Sequence, residues 1–139
     1  MTNSQRQVQT QDYKNFGYKN SHFKNFKDFK DMDLENTQVQ MRKGVLEFCI
    51  LSIISRGEVY ASDMLGELTG AKIMIVEGTL YPLLTRLRKA ELVDYKWVES
   101  VSGPPRKYFM ITEKGQDFLN NLKNTWNELV SSTNHIINS

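Results

Sequence analysis

From Met41 to the end of the chain, apolar and polar positions alternate with a period that changes from block to block, and each change predicts an element. VLEFCILSII, residues 45–54, is apolar almost all round and Gly57 follows it. A helix of that kind must be covered on every face, which in so small a domain calls for a second chain as well as the core. Residues 61–68 form a short amphipathic segment, with Ser62 as the expected N-cap and Gly70 as the expected stop. In VEGTLYPLLTRLRKA, Leu80, Leu83, Leu84 and Leu87 fall at i, i+3, i+4 and i+7, the buried stripe of a helix starting near Glu77. Pro82 is then expected in the first turn, where backbone N–H groups have no intrahelical acceptor anyway. With the leucines inward, Thr79, Pro82, Arg86 and Lys89 line the opposite face, flanked by Tyr81, Thr85 and Arg88.

The period then drops to two. VDYKW sets Val93, Tyr95 and Trp97 against Asp94 and Lys96, RKYFMI predicts a second strand, and VSGPP between them is rich in turn residues. The expected hairpin carries Arg106 and Lys107 just past its tip. Thr112 is placed to cap a final helix running from about Glu113 to the C-terminus. Its Leu119, Leu122, Trp126, Leu129, Thr133 and Ile136 are separated by alternating steps of three and four, a heptad seam suited to a partner helix.

Residues 1–40 break this pattern. After the initiator they hold four aliphatic or Met residues (Val8, Met32, Leu34, Val39), too few to close a core. The phrase YKNFGYKNSHFKNFKDFKDMD follows aromatics repeatedly with Lys and then Asn or Asp. Two readings stand: a solvated tail or weak helix with Phe23, Phe26 and Phe29 on one face, and a basic-aromatic docking segment able to stack on bases. The chain thus divides into a low-complexity, flexible extension (1–40), a compact domain (41–112) and a C-terminal dimerisation helix (113–139).

Three helices followed by a hairpin and a long helix make a mainly α fold with a small β-hairpin, the winged variant of the helix-turn-helix. Charge sharpens this. The 139 residues hold 18 Lys and Arg against 16 Asp and Glu, and a net +2 points to no partner. Between Gly78 and Lys114, however, seven basic residues face four acidic ones, a local +3 on one helix and one hairpin. Thr79, Tyr81, Pro82, Arg86 and Lys89 are the candidate major-groove residues, Arg86 being able to donate two hydrogen bonds to guanine. Arg106 and Lys107 in the wing are expected on phosphates, and Tyr60 and Ser62 are weaker phosphate candidates.

EGTLYPLLTRLRKAELVDYKW followed by SGPPRKYFMITEKG also resembles the PadR-type transcriptional repressors of bacteria. Gly78, Thr79, Leu80, Tyr81, Pro82, Leu83, Leu84 and Arg86 match one motif of that family. Gly103, Pro104, Pro105, Arg106, Lys107, Tyr108, Thr112, Lys114 and Gly115 match the second, with Phe109 where the pattern often has a second Tyr. The resemblance covers about residues 41 to 139. It implies a homodimer joined through the C-terminal helix, bound to a palindromic operator in double-stranded DNA and repressing a nearby gene. The seam from Leu119 to Ile136 and the apolar helix at residues 45–54 each need such a partner. One branch of the family holds flat aromatic compounds between tryptophans at the dimer interface, which makes Trp126 a candidate contact for a small aromatic effector; a packed core aromatic is the alternative.

Other classes are excluded. No apolar run approaches the roughly 18 residues that span a bilayer, and the polar N-terminus has no signal-peptide core. The single cysteine, Cys49, fits a reducing compartment, so a cytoplasmic location is expected. His22, His135 and Cys49 form no catalytic or metal-ligating constellation and no phosphate-cradling Gly-rich loop is present, so no enzyme, metal or cofactor is expected. The rival reading is a winged-helix protein-interaction module without specific DNA binding.

Overall fold

The computed structural model describes residues 33–139. Phe23, Phe26 and Phe29, with the rest of the aromatic phrase, lie outside the described residues. Two units divide the chain, Met1–Val39 and Gln40–Ser139. The elements in order are α1 (Leu34–Ser55), β1 (Val59–Tyr60), α2 (Ala61–Gly70), α3 (Glu77–Lys89), β2 (Val93–Ser100), β3 (Gly103–Ile111) and α4 (Glu113–Ile137). This order, with an antiparallel sheet of strand order β1-β3-β2, is a winged helix.

Local differences from the pattern have identifiable causes. Helix α1 begins at Leu34 rather than Val45, because the Asp33 carboxylate accepts the Asn36 N–H at 2.7 Å as an N-cap. Residues 34–44 are exposed, so no apolar period announces them. Helix α2 is capped by Tyr60, in extended conformation and with no side-chain cap bond, not by Ser62. Pairing of Val59 with Phe109 and Tyr60 with Tyr108 keeps the backbone extended through Tyr60, and the helix starts at the next residue. Strand β1 is only two residues long, too short to leave a pattern. Helix α3 starts at Glu77 as expected, yet Pro82 lies in its second turn, not its first. The missing N–H leaves the Gly78 carbonyl without its helical donor at an exposed position where water can replace it.

Both α2 and α3 end in a charged residue of left-handed conformation, Lys72 (φ 64°) and Glu91 (φ 63°). The Ile73 N–H returns to the Leu68 carbonyl and the Leu92 N–H to the Leu87 carbonyl, at 2.8 and 3.0 Å, which satisfies the last-turn acceptors. The hairpin is longer than its alternation suggests. Pairing runs from Val93 and Ile111 to Ser100 and Gly103, so the tip is Val101–Ser102 and both prolines sit inside β3. They are tolerated because β1 covers β3 only at Tyr108 and Phe109, leaving the distal part of β3 as an edge. Arg106 and Lys107 therefore stand on the arm, opposite Val98 and Trp97, rather than at the tip.

The core joins Ile50, Leu51 and Ile54 of α1 to Met64 and Leu68 of α2, Leu80, Leu84 and Leu87 of α3, and Val93 and Phe109 of the hairpin. Leu119 of α4 belongs to this core with no exposed surface, which removes it from the face a second chain could meet. Leu122 packs against the same core, whereas Trp126, Leu129, Thr133 and Ile136 are exposed. Thr112 caps α4, its side-chain oxygen accepting the Gly115 N–H at 2.9 Å. Gly115 is buried where α4 crosses the α3–β2 turn, and a Cβ there would overlap the Leu92 carbonyl oxygen and lie 2.8 Å from its carbon.

Gly115→Ala should therefore cost more than about 3 kcal/mol, since backbone rather than a flexible side chain must yield. Gly66→Ala, in mid-α2 with open space around the new methyl, should gain about 0.5–1 kcal/mol. Urea denaturation of both variants checks the contrast.

Candidate nucleic-acid interface

Helix α3 and the wing enclose two adjoining grooves. The first, about 470 Å³, is lined by Tyr81, Thr85, Arg88 and Lys89 of α3 and by Tyr95 and Lys107 of the hairpin, among others. The second, about 400 Å³, lies between the wing and the start of α2, with Tyr60, Ser62, Tyr81, Trp97, Arg106 and Lys107 in its walls. Tyr81 and Lys107 line both. The grooves thus bring together Tyr60, Ser62, Tyr81, Lys89, Arg106 and Lys107 of the expected set. Thr79 and Pro82 are exposed on α3 but line neither groove. Arg86 reaches away from the wing to α1, where an Nη atom lies 2.8 Å from Glu47 Oε1.

Cations on the wing side are held over aromatic faces. The Arg88 guanidinium lies 4.4 Å from the Tyr95 ring centre with Nε 3.5 Å from Asp94. Lys107 Nζ lies 4.3 Å from Tyr95 and 5.3 Å from Trp97, and Arg106 lies 5.1 Å from Tyr60. Such contacts orient a cation without neutralising it. Carboxylates partner Arg86, Arg88, Lys96 and Lys114, through Glu47, Asp94, Glu58 and Glu91 respectively. Among the described residues, no carboxylate lies within 4.0 Å of Lys89, Arg106 or Lys107. Within the Gly78–Lys114 segment those three carry the positive charge that no described carboxylate pairs. At the second groove α2 adds its first-turn N–H groups, which no side chain caps, and a helix N-terminus attracts anions.

Sequence reasoning missed Trp97, Thr85 and Arg88 as site residues. Trp97 shares a strand face with the buried Val93, but the hairpin outruns the body of the domain and leaves the ring 61% exposed. Its place only four residues before the tip was the available signal. Cys49 is half-buried and burial pushes its thiol above the usual range, the opposite of an activated nucleophile. Among the described residues no three His, Cys, Asp or Glu side chains come together as a metal site. No described helix is long and apolar enough to cross a membrane.

The profile of the PadR-like transcriptional regulator family matches residues 50–121, from the second half of α1 through the wing into α4. The chain belongs to the PadR-like family. A protein of Lysinibacillus sphaericus is 31% identical to this PadR-like regulator over 90 residues, which cover 63% of this chain and 83% of the relative. A PadR-like transcription factor from Bacteroides fragilis is 51% identical at a TM-score of 0.62, covering 73% of this chain and 98% of that one. A PadR-like transcriptional regulator from Bacillus cereus is 39% identical at a TM-score of 0.65, covering 72% and 98%.

In this PadR-like regulator the wing is tied to α2 by two tyrosines. The Tyr108 hydroxyl donates to the Tyr60 hydroxyl and the rings lie 3.9 Å apart between centres. The hydrogen bond to Tyr60, with lesser help from desolvation, raises the Tyr108 pKa, because ionisation would remove the donated proton. A raised folded-state value means the contact is fully present at neutral pH and is lost only as pH climbs through that value. In a titration of phenolate absorbance, Tyr60→Phe should bring one tyrosine down to the ordinary range, and an unchanged curve would argue against the contact.

Proposed function

We propose that this PadR-like regulator binds a palindromic operator in double-stranded DNA as a homodimer and represses a nearby gene. The observation that carries the reading is the clustering of Lys89, Arg106 and Lys107, the cations of the Gly78–Lys114 segment without a carboxylate partner among the described residues, around the α3–wing grooves beside an uncapped helix N-terminus. In this reading α3 enters the major groove, with Thr79, Tyr81, Pro82, Arg86 and Lys89 facing base edges and flanking phosphates. Arg106 and Lys107 hold phosphates, and Tyr60 and Ser62 hold another with the α2 N-terminus.

The second chain is assigned to α4. Beyond Leu122 this helix leaves Trp126, Leu129, Ile136 and Ile137 exposed, with Thr133 on the same run. The Phe48 ring of α1, half-buried, lies 6.2 Å from that of Trp126. A twofold axis lets each copy cover the same stripe on the other, and it sets two α3 helices about 34–36 Å apart, one turn of B-DNA. The Phe48–Trp126 pair also supports a flat aromatic effector at that interface.

Gel-shift titration with duplex DNA from upstream of the chain's own gene tests the reading. Replacing Arg106 and Lys107 together by Ala should weaken all duplexes about equally and reduce the salt slope by about 2, one counterion-release increment per lost phosphate contact. Unchanged affinity at two salt concentrations would point instead to a protein-binding module. Leu129→Asp should turn the dimer into a monomer in sedimentation velocity, as a charge on an apolar interface demands. Planar cationic dyes should quench Trp fluorescence in wild type and not in Trp126→Ala; equal responses would remove the effector site.

A further inference from the structure

We infer that Glu47 of α1 is a positioning residue that sets Arg86 for base reading; this rests on the role proposed for Arg86 above. The bond between them, 2.8 Å from an Arg86 Nη to Glu47 Oε1, crosses from α1 to the flank of α3. The two ends are unlike. Glu47 stands on the turn of α1 that carries Leu46, Ile50 and Leu51, all buried, and its own side chain is 36% exposed. The Arg86 side chain is 70% exposed and, among the described residues, Glu47 is its one carboxylate partner. A core-anchored acid therefore fixes a long, otherwise mobile base. A guanidinium presents five N–H donors in a rigid fork, so one bond from an Nη to Glu47 leaves four, both of those on the other Nη among them, for an acceptor pair such as guanine O6 and N7.

The charge consequence follows from the same contact. Paired with Glu47, Arg86 adds little to the general pull on phosphates, which falls to Lys89, Arg106 and Lys107. Glu47 removes non-specific attraction from Arg86 and leaves it geometry. An ion pair this exposed contributes little to folding, so variants of either partner should remain folded.

The test uses the full chain and fluorescence anisotropy at one salt concentration. One duplex is enriched from a random pool by the wild-type protein, and the other is its scrambled sequence. Glu47→Ala should lower the ratio of affinities for the two by about 5–10-fold, the size of one misplaced base contact, while scrambled DNA binds as well or up to about threefold tighter. In an Arg86→Ala background the same substitution should change the ratio by less than about 1.5-fold, because the group to be positioned is gone. An equal loss in both backgrounds would show that Glu47 acts through the fold. An unchanged ratio in Glu47→Ala, or in Arg86→Ala, would show that there is nothing for it to position. Each of these sinks the inference and leaves DNA binding standing. A wild-type protein that enriches no sequence sinks the sequence-specific operator reading proposed above, and this inference with it.

Discussion

The close approach of α4 to the carbonyl of Leu92 governs the geometry of the whole wing side. Three segments meet there: the end of α3, the first residue of the hairpin and the start of α4. The Thr112 N–H donates to the Leu92 carbonyl at 3.1 Å, and the Thr112 hydroxyl donates to the Glu91 carbonyl at 2.6 Å while accepting from Gly115. One threonine thus caps α4 and ties it to the left-handed turn that ends α3. Only glycine fits at position 115, because any Cβ would occupy the space of the Leu92 carbonyl. If this joint opened, the angle between α3 and the wing would no longer be fixed, and the grooves between them would lose their shape.

On that frame charge is distributed by pairing rather than by number. The segment from Gly78 to Lys114 is basic by three, but its arginines and lysines are not equivalent. Arg86 and Lys96 are matched by acids from α1 and from the residue before β1, and Arg88 and Lys114 by acids within the segment itself. What remains is concentrated on Lys89 and on the adjacent wing residues Arg106 and Lys107. Their stacking on Tyr60, Tyr95 and Trp97 limits the directions in which those two can reach. A protein whose whole chain nets +2 can in this way present a sharply local positive field.

Most of the fold was legible because α3, the two long strands and α4 each carry one clean period. The four leucines of α3 placed that helix and its polar face, and the two tyrosine-bearing strands placed the wing. What was not legible came from contacts with no period. Strand β1 exists because Tyr60 pairs with Tyr108, forty-eight positions away. The early start of α1 depends on a cap at Asp33 followed by exposed polar turns. At the site, the side of α3 facing the wing could be guessed only to within a quarter turn. Thr85 and Arg88 therefore came out as flanking residues although they line the groove, while the ion pair by which the exposed Arg86 reaches α1 left no mark in the spacing. The heptad on α4 was legible as a spacing and not as a partition: its first member closes the chain's own core, and its later members are left uncovered. Periodicity says which face is apolar, and only the neighbouring elements decide what covers it.

Helix α1 lies between the two surfaces that the proposed function needs. Consecutive residues of a helix point about 100° apart, and Glu47 and Phe48 use that angle to reach different partners, Arg86 of α3 and Trp126 of α4. A shift of α1 that repacked Phe48 against Trp126 would also displace the carboxylate beside Arg86, because Glu47 and Phe48 are consecutive on a turn whose Ile50 and Leu51 are fully buried. Coupling between an aromatic site at Trp126 and base reading at Arg86 then needs no long pathway, only two adjacent residues on one rigid turn. An effector there would act to the extent that it binds one placement of α1 better than the other.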